Sequence, residues 1–171
     1  MMSVREVVLL GDPILRERAE PVELFDDELR DLVRDMFDTM YVAEGAGLAA
    51  PQVGVCRRVI VVEVVEEEGA TPVRLALANP EFVEQSDEID RGSEGCLSVP
   101  GVSEIVARPA RVTIEGLDPG GKPVQVEAEG LLARVLQHEV DHVNGVLFID
   151  RLSPLKRRIL LQKYRKLEAK R

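Results

Sequence analysis

Two histidines serve the whole 171-residue chain, and they stand four residues apart in His138-Glu139-Val140-Asp141-His142. Random placement would give that spacing on the order of once in ninety trials, and the Glu after the first makes it rarer, so the segment reads as an HExxH metal motif. No other feature constrains the fold as much. The pentapeptide has to be helical, because residues i and i+4 of a helix share one face and both imidazoles can then reach one ion. Glu139 falls beside the ion's open position, placed to handle protons. The competing reading is two unrelated surface histidines on a helix.

The surrounding pattern extends that helix from Leu131 to Val143. Leu132, Leu136, Val140 and Val143 line one face, and Leu131, Val135, His138 and His142 line another. Two occupied faces imply a helix in the middle of the protein. Asn144-Gly145 ends it. Upstream, Asp12-Pro13 reads as an N-cap and N1 proline before a short helix. Leu24 to about Glu44 reads as a longer helix, with Asp26, Asp27 and Glu28 in its first turn, stopping at Gly45. Residues 45–54, GAGLAAPQVG, read as a Gly- and Ala-rich loop. Strand patterns follow at Arg57–Val65, at Val73–Ala78 (ended by Asn79-Pro80), more weakly at Phe82–Ser86, and at Val102–Val106, Arg111–Leu117 and Pro123–Ala128. Asp118-Pro119-Gly120-Gly121 reads as a hairpin turn joining the last two. Ser153-Pro154 opens a final basic, amphipathic helix. Strands in the middle and helices at the ends predict an α+β fold: mainly antiparallel sheets around a central metal-binding helix, with N-terminal helices and a C-terminal helix.

Composition narrows the function classes. The length suits one domain, residues 1–171, with a single core. Aromatics are 4% and Trp is absent, so the core has to be built from Val, Leu, Ile and Ala. No stretch approaches the roughly 20 apolar residues that span a bilayer. The start, MMSVREVVLLGDP, has an apolar run too short for a signal-peptide core, which predicts a cytoplasmic protein without membrane association. The net charge of −9 argues against specific DNA binding. Residues 155–171 nonetheless carry eight Lys/Arg against one Glu, a basic segment on an acidic body. Of the two cysteines, Cys56 leads into an apolar strand and reads as a small buried hydrophobe.

A catalytic centre of this kind needs a third protein ligand and an open position. Glu168 is the only Glu after His142, and it sits near the chain's end. Cys96, in Ser93-Glu94-Gly95-Cys96-Leu97-Ser98-Val99-Pro100, is the other candidate. A thiolate is a strong ligand, and Gly95 lets another backbone approach. Its competing reading is a buried structural thiol. Spacing alone leaves the choice open.

GAGLAAPQ, EGCLSVP and QHEVDH, in this order and at these separations, resemble the three signature motifs of bacterial peptide deformylases. The resemblance covers nearly the whole chain, including Asn79-Pro80 and Gly145-Val146-Leu147-Phe148, and EGCLS is similar to the type 1 group. It implies that Cys96, His138 and His142 hold one divalent metal, Fe2+ before Zn2+ or Ni2+. It also implies hydrolysis of the N-formyl group from the initiator methionine of nascent peptides, releasing formate.

By the same resemblance, Glu139 carries the proton between water and leaving amine. The Gln52 amide and the Leu97 backbone N–H stabilise the developing oxyanion. Without the resemblance, Gln52 reads as a loop-capping amide. Gly45, Ala46 and Gly47 are implied to bind the peptide backbone, with Gly47 admitting close approach. Gly95, Leu131 and Val135, with the ring face of His138, are implied to hold the methionine side chain. Glu94 and Asp141 read as carboxylates that orient the ligands, with Arg108 a partner for Asp141. Many relatives carry an Arg where this chain has Ser103. The basic C-terminal segment reads as a solvated helix face or, as such helices can in this family, a ribosome-docking element. The alternative function is a small HExxH zinc endopeptidase using Glu168. A closed structural metal module would need a fourth ligand, which Cys56 would have to supply.

Overall fold

The structure, a computed structural model, describes residues 3–171. The first two methionines, part of the apolar start considered above, lie outside them.

The first helix, α1 (Asp27–Val42), begins where Asp26 accepts a hydrogen bond from the Leu29 N–H at 3.1 Å. Asp26 is therefore the cap, and the helix starts three residues later than Leu24. Leu29, Leu32, Val33, Met36, Phe37 and Met40 form its buried stripe. At its end the Gly45 N–H bonds Met40 O at 2.9 Å, and the left-handed residue is Glu44, with φ 58°. Gly45 serves a different need: a Cβ there would lie 2.9 Å from Leu97 Cδ1. The segment after Asp12 is a single 3-10 turn, Pro13–Arg16, so one of the expected N-terminal helices is only one turn long.

The presumed loop at 45–54 contains a short strand, β1 (Gly47–Ala49), and a 3-10 turn, Ala50–Val53. The other strands are β2 (Val59–Val64), β3 (Val73–Gln85), β4 (Ile89–Cys96), β5 (Val99–Pro109), β6 (Arg111–Leu117) and β7 (Pro123–Glu129). Among the described residues they form a five-stranded antiparallel sheet in the order β1-β2-β3-β6-β7 and a separate β4–β5 hairpin. Asn79-Pro80 does not end β3. The register shifts between Ala78 and Glu81, Asn79 takes φ 53°, and its amide holds both the N–H and the C=O of Val22. The strand kinks through this bulge and continues into the Phe82 segment. β4 escaped notice because its residues are mostly polar and exposed. β5 runs well beyond the expected Val102–Val106.

α2 (Gly130–Val143) packs on one face of the large sheet and α1 on the other. β2 reads as a continuous apolar run for this reason: Ile60, Val62 and Val64 pack with α2, while Val59 and Val61 pack with α1. Arg58 is buried and caps the end of α2, donating to Val143 O and Asn144 Oδ1, each at 2.9 Å. Gly145 then turns with φ 77° where a Cβ would meet Arg16 O at 2.6 Å. The helix is buried from Leu132 onward except for Val135, which is half-buried, but Leu131 is half exposed at its first turn. The last helix, α3 (Pro154–Ala169), is capped by Ser153 and buries only Leu160 and Tyr164, in a third apolar cluster with Val99, Val106 and Phe148. The whole is α+β and mainly antiparallel, as the sequence predicts. Among the described residues, no helix is long and apolar enough to cross a membrane.

Candidate active site

α2 carries both histidines on one face, and their Nε2 atoms lie 3.1 Å apart. Cys96 ends β4, and its Sγ lies 3.3 Å from His142 Nε2. These three ligand atoms all fall within 4.8 Å of one another, the one such group of His, Cys, Asp and Glu side chains among the described residues. Neither Glu168 nor Cys56 belongs to it. Glu168 is exposed and pairs with Arg171 at 2.7 Å, so no third ligand of the peptidase type stands at the site. Cys56 is half-buried rather than buried, because it borders the polar chain at Glu17, whose carboxylate is 3.5 Å from its Sγ. Burial first, then Glu17, pushes its thiol up.

The two imidazoles are driven apart in basicity. Burial depresses both. For His138 the charge of Glu139 and hydrogen bonds with Cys96 and Glu94 outweigh it, so its pKa is raised well above the ordinary value. For His142, burial and the charges of His138 and Arg108 act together and lower it. The trio thus accommodates one positive charge among three inward donor atoms. A proton can supply it, and so can a cation. Bonds of about 2.0 Å to nitrogen and 2.3 Å to sulfur span edges of this size, so the residues fit a metal.

Glu94, also buried, fixes the orientation of His138. Its Oε1 accepts from His138 Nδ1 at 3.0 Å and from Arg108 Nη2 at 2.8 Å. Its Oε2 accepts from Arg108 Nε at 2.5 Å and Arg134 Nη1 at 2.7 Å. Burial raises the Glu94 carboxyl, but these hydrogen bonds and charges from His138 and Arg108 bring it down to about 2. With Nδ1 directed to Glu94, His138 turns Nε2 inward, where its lone pair would be given to a cation that takes the place of the proton. Asp141 accepts from Arg108 Nη1 at 2.9 Å, the partner suggested by sequence, and from Arg151 Nη2 at 2.8 Å.

Glu139 is 3% exposed, its Oε1 has no hydrogen-bond partner among protein groups, and burial pushes its carboxyl up to about 7. Gly47 on β1 makes room for it: a Cβ there would lie 2.6 Å from Glu139 Oε2. The small residue at 47 thus admits Glu139, a need the sequence did not display beside the expected approach of substrate. Gln52 fills two roles. Its Oε1 accepts from Ala49 N–H at 3.0 Å, the loop-capping bond. That bond turns Nε2 toward Ser98 Oγ at 3.1 Å and Cys96 Sγ at 3.5 Å. Buried Ser98 was not singled out from sequence, where a serine in a turn carries no signal.

An open cleft of about 550 Å³ leads to these groups. Gly45, Ala46, Gly47, Gly95, Leu131 and Val135 all line it, together with Gln52 and Leu97. Pro100, Gly101, Val102 and Ser103, at the start of β5, line it as well, and sequence reasoning assigned none of them to the site, noting only the missing arginine at 103. Arg134 was also missed, although its place four and eight positions before His138 and His142 puts it on their face of α2, a visible signal.

The family model for polypeptide deformylase matches residues 4–158. A peptide deformylase of Brucella suis biovar 1 (strain 1330) is 48% identical over 170 residues, spanning 99% of this chain and 97% of that protein. The crystal structure of a peptide deformylase from Legionella pneumophila superposes with TM-score 0.86 at 47% identity, covering 98% of this chain and 99% of that one. The structure of peptide deformylase from Ehrlichia chaffeensis in complex with actinonin gives TM-score 0.91 at 44% identity, covering 98% and 99%. Sequence, fold and the convergence of Cys96 with HExxH agree, and this chain belongs to the polypeptide deformylase family.

Proposed function

We propose that this protein hydrolyses the N-formyl group from the initiator methionine of newly made polypeptides, releasing formate. The observation that carries this reading is the position of Glu139. It lies in the same HExxH segment as His138 and His142, buried beside the Cys96, His138 and His142 trio and outside it, at the inner end of an open cleft. Cys96, His138 and His142 would hold one divalent cation. A thiolate with two imidazoles suits Fe2+, the ion the family resemblance favours, and also Zn2+ or Ni2+. When bound, the cation supplies Lewis acidity that lowers the pKa of a water.

The chain's own groups do the rest. Glu139 accepts the water's proton and returns it to the methionine nitrogen as the carbon–nitrogen bond breaks. The Gln52 amide, locked by Ala49, and the Leu97 N–H receive the charge that develops on the formyl oxygen. β1 is the edge strand of the large sheet, so an extended substrate backbone adds beside Gly45, Ala46 and Gly47. Gly95, Leu131, Val135 and the His138 ring take the methionine side chain. The catalytic unit is one domain running through residues 1–171. Formylated nascent chains place its work in the cytoplasm, and α3, with its basic surface, is a docking element toward ribosomal RNA.

Cys96→Ala tests the ligand set. The variant is expected to lose both bound metal and formate release from formyl-Met-Ala-Ser. Retained stoichiometric metal would contradict the reading and point to a different third ligand.

A further inference from the structure

Cys96 and the two histidines belong to parts of the molecule that share no apolar cluster. α2 packs with the large sheet through Leu132, Leu136, Val140 and Val143. The β4–β5 hairpin is hydrogen-bonded to neither edge of that sheet. Its buried residues Val99 and Val106, with Cys96 against them, pack instead with Phe148 and α3. What joins the hairpin to α2 is polar: Glu94 to His138, Arg108 to Asp141, the Gln137 amide to Pro109 O at 2.9 Å, and Arg134.

Arg134 makes the most extensive of these joins. It is 7% exposed, one helical turn before His138. Its Nη1 donates to Glu94 Oε2 at 2.7 Å and to Val106 O at 2.9 Å. Its Nη2 donates to Asp90 O at 2.9 Å and reaches Asp90 Oδ2 at 3.3 Å. One side chain therefore holds backbone on both strands of the hairpin and the carboxylate that orients His138. Gly92 lies across its path. A Cβ at that position would lie 2.8 Å from Arg134 Nε, so any side chain there displaces the guanidinium.

We infer that Arg134, admitted by Gly92, is a positioning residue for the metal centre: it docks the hairpin that ends in Cys96 onto the helix that carries His138 and His142. The inference rests on the proposed role of these three residues as metal ligands. Its loss leaves the carbonyls of Asp90 and Val106 without this donor and frees the hairpin to move relative to α2. Metal retention is the property that follows. Changes to groups that orient metal ligands weaken affinity by about 10- to 100-fold.

Full-length protein loaded with zinc and challenged with excess chelator reads that property directly. Arg134→Met is expected to release zinc about 10- to 100-fold faster than wild type. Gly92→Ala keeps the arginine but crowds it, and is expected to release zinc faster as well, which covers an Arg134→Met protein that fails to fold. Cobalt(II)-loaded forms of both should show displaced thiolate charge-transfer and d–d bands. Val112→Ala, in the large-sheet core, controls for general loss of stability and should keep the wild-type rate and spectrum. Wild-type release rates and spectra in the hairpin variants would overturn the inference, as would equal acceleration in Val112→Ala. A wild-type protein that takes up no stoichiometric zinc would instead refute the metal reading beneath it.

Discussion

Glu139 and Glu94 are both buried carboxylates within one site, yet their environments set them far apart. Glu139 gains no hydrogen bond for one oxygen and is raised to about 7, while Glu94 collects two arginines and an imidazole and falls to about 2. Glu139 must be ionised to accept a proton, so kcat/KM should fall as pH drops through its pKa. A neighbouring cation favours the carboxylate, placing that acid limb below about 7. A pH–rate profile on metal-loaded protein checks this. Glu94 contributes the opposite test. Its folded pKa lies below its ordinary value of 4.5, so its stabilisation is present above that value and is lost as pH falls through about 2. Glu94→Gln should therefore flatten the loss of Tm on acidification. At this scale the sequence displayed groups whose chemistry depends on spacing: His138, His142 and Glu139. It left Cys96 open between ligand and structural thiol until the three motifs were taken together. Arg134 carried a signal in its place one turn before His138, but its partners, like that of Ser98, lie some forty residues away and were not legible.

The elements that bring these residues together were legible where local chemistry decides. Asp118 caps its own turn between β6 and β7, Ser153 caps α3, and the bounds of β6, β7, α2 and α3 follow the pattern closely. Legibility failed where tertiary contacts override propensity. β3 crosses Asn79-Pro80 because Val22 supplies the bonds that a turn would otherwise need. β4 is a strand despite its polarity because β5 pairs along its length. α1 ends on a left-handed Glu44, since the adjacent glycine is required for packing against Leu97. Glu44→Gly should accordingly stabilise the fold by about 1 kcal/mol, measurable by urea unfolding. The close approach of β1 and α2 gives a sharper prediction. Gly47→Ala places a methyl group against Glu139 and should lower kcat by at least about tenfold while metal content stays at one ion per chain.

At the scale of the whole molecule, three apolar clusters meet around α2 and the hairpin, and the cleft opens between them. The basic C-terminal segment visible in the sequence is a helix whose Leu160 and Tyr164 are part of the third cluster, so removing it would disturb the fold as well as its charge. Neutralising exposed Arg158, Lys163, Arg165 and Lys166 is the cleaner test of ribosome docking. Co-sedimentation at low salt should weaken and its salt dependence become shallower. Unchanged co-sedimentation would show that the basic face is only solvated. The overall charge pattern could not reveal the cleft, because its walls come from β1, the hairpin and α2, which only the fold assembles.

The central claim is a cation-assisted deformylation in which Glu139 carries the proton. Formate release from formyl-Met-Ala-Ser, by freshly prepared protein kept anaerobic and holding one ferrous ion per chain, tests it most directly beside Glu139→Ala. The account predicts rapid release by the wild type and a loss of at least about 100-fold in the variant, with its metal still bound. No release from fully loaded wild type would contradict it, as would an undiminished rate in Glu139→Ala.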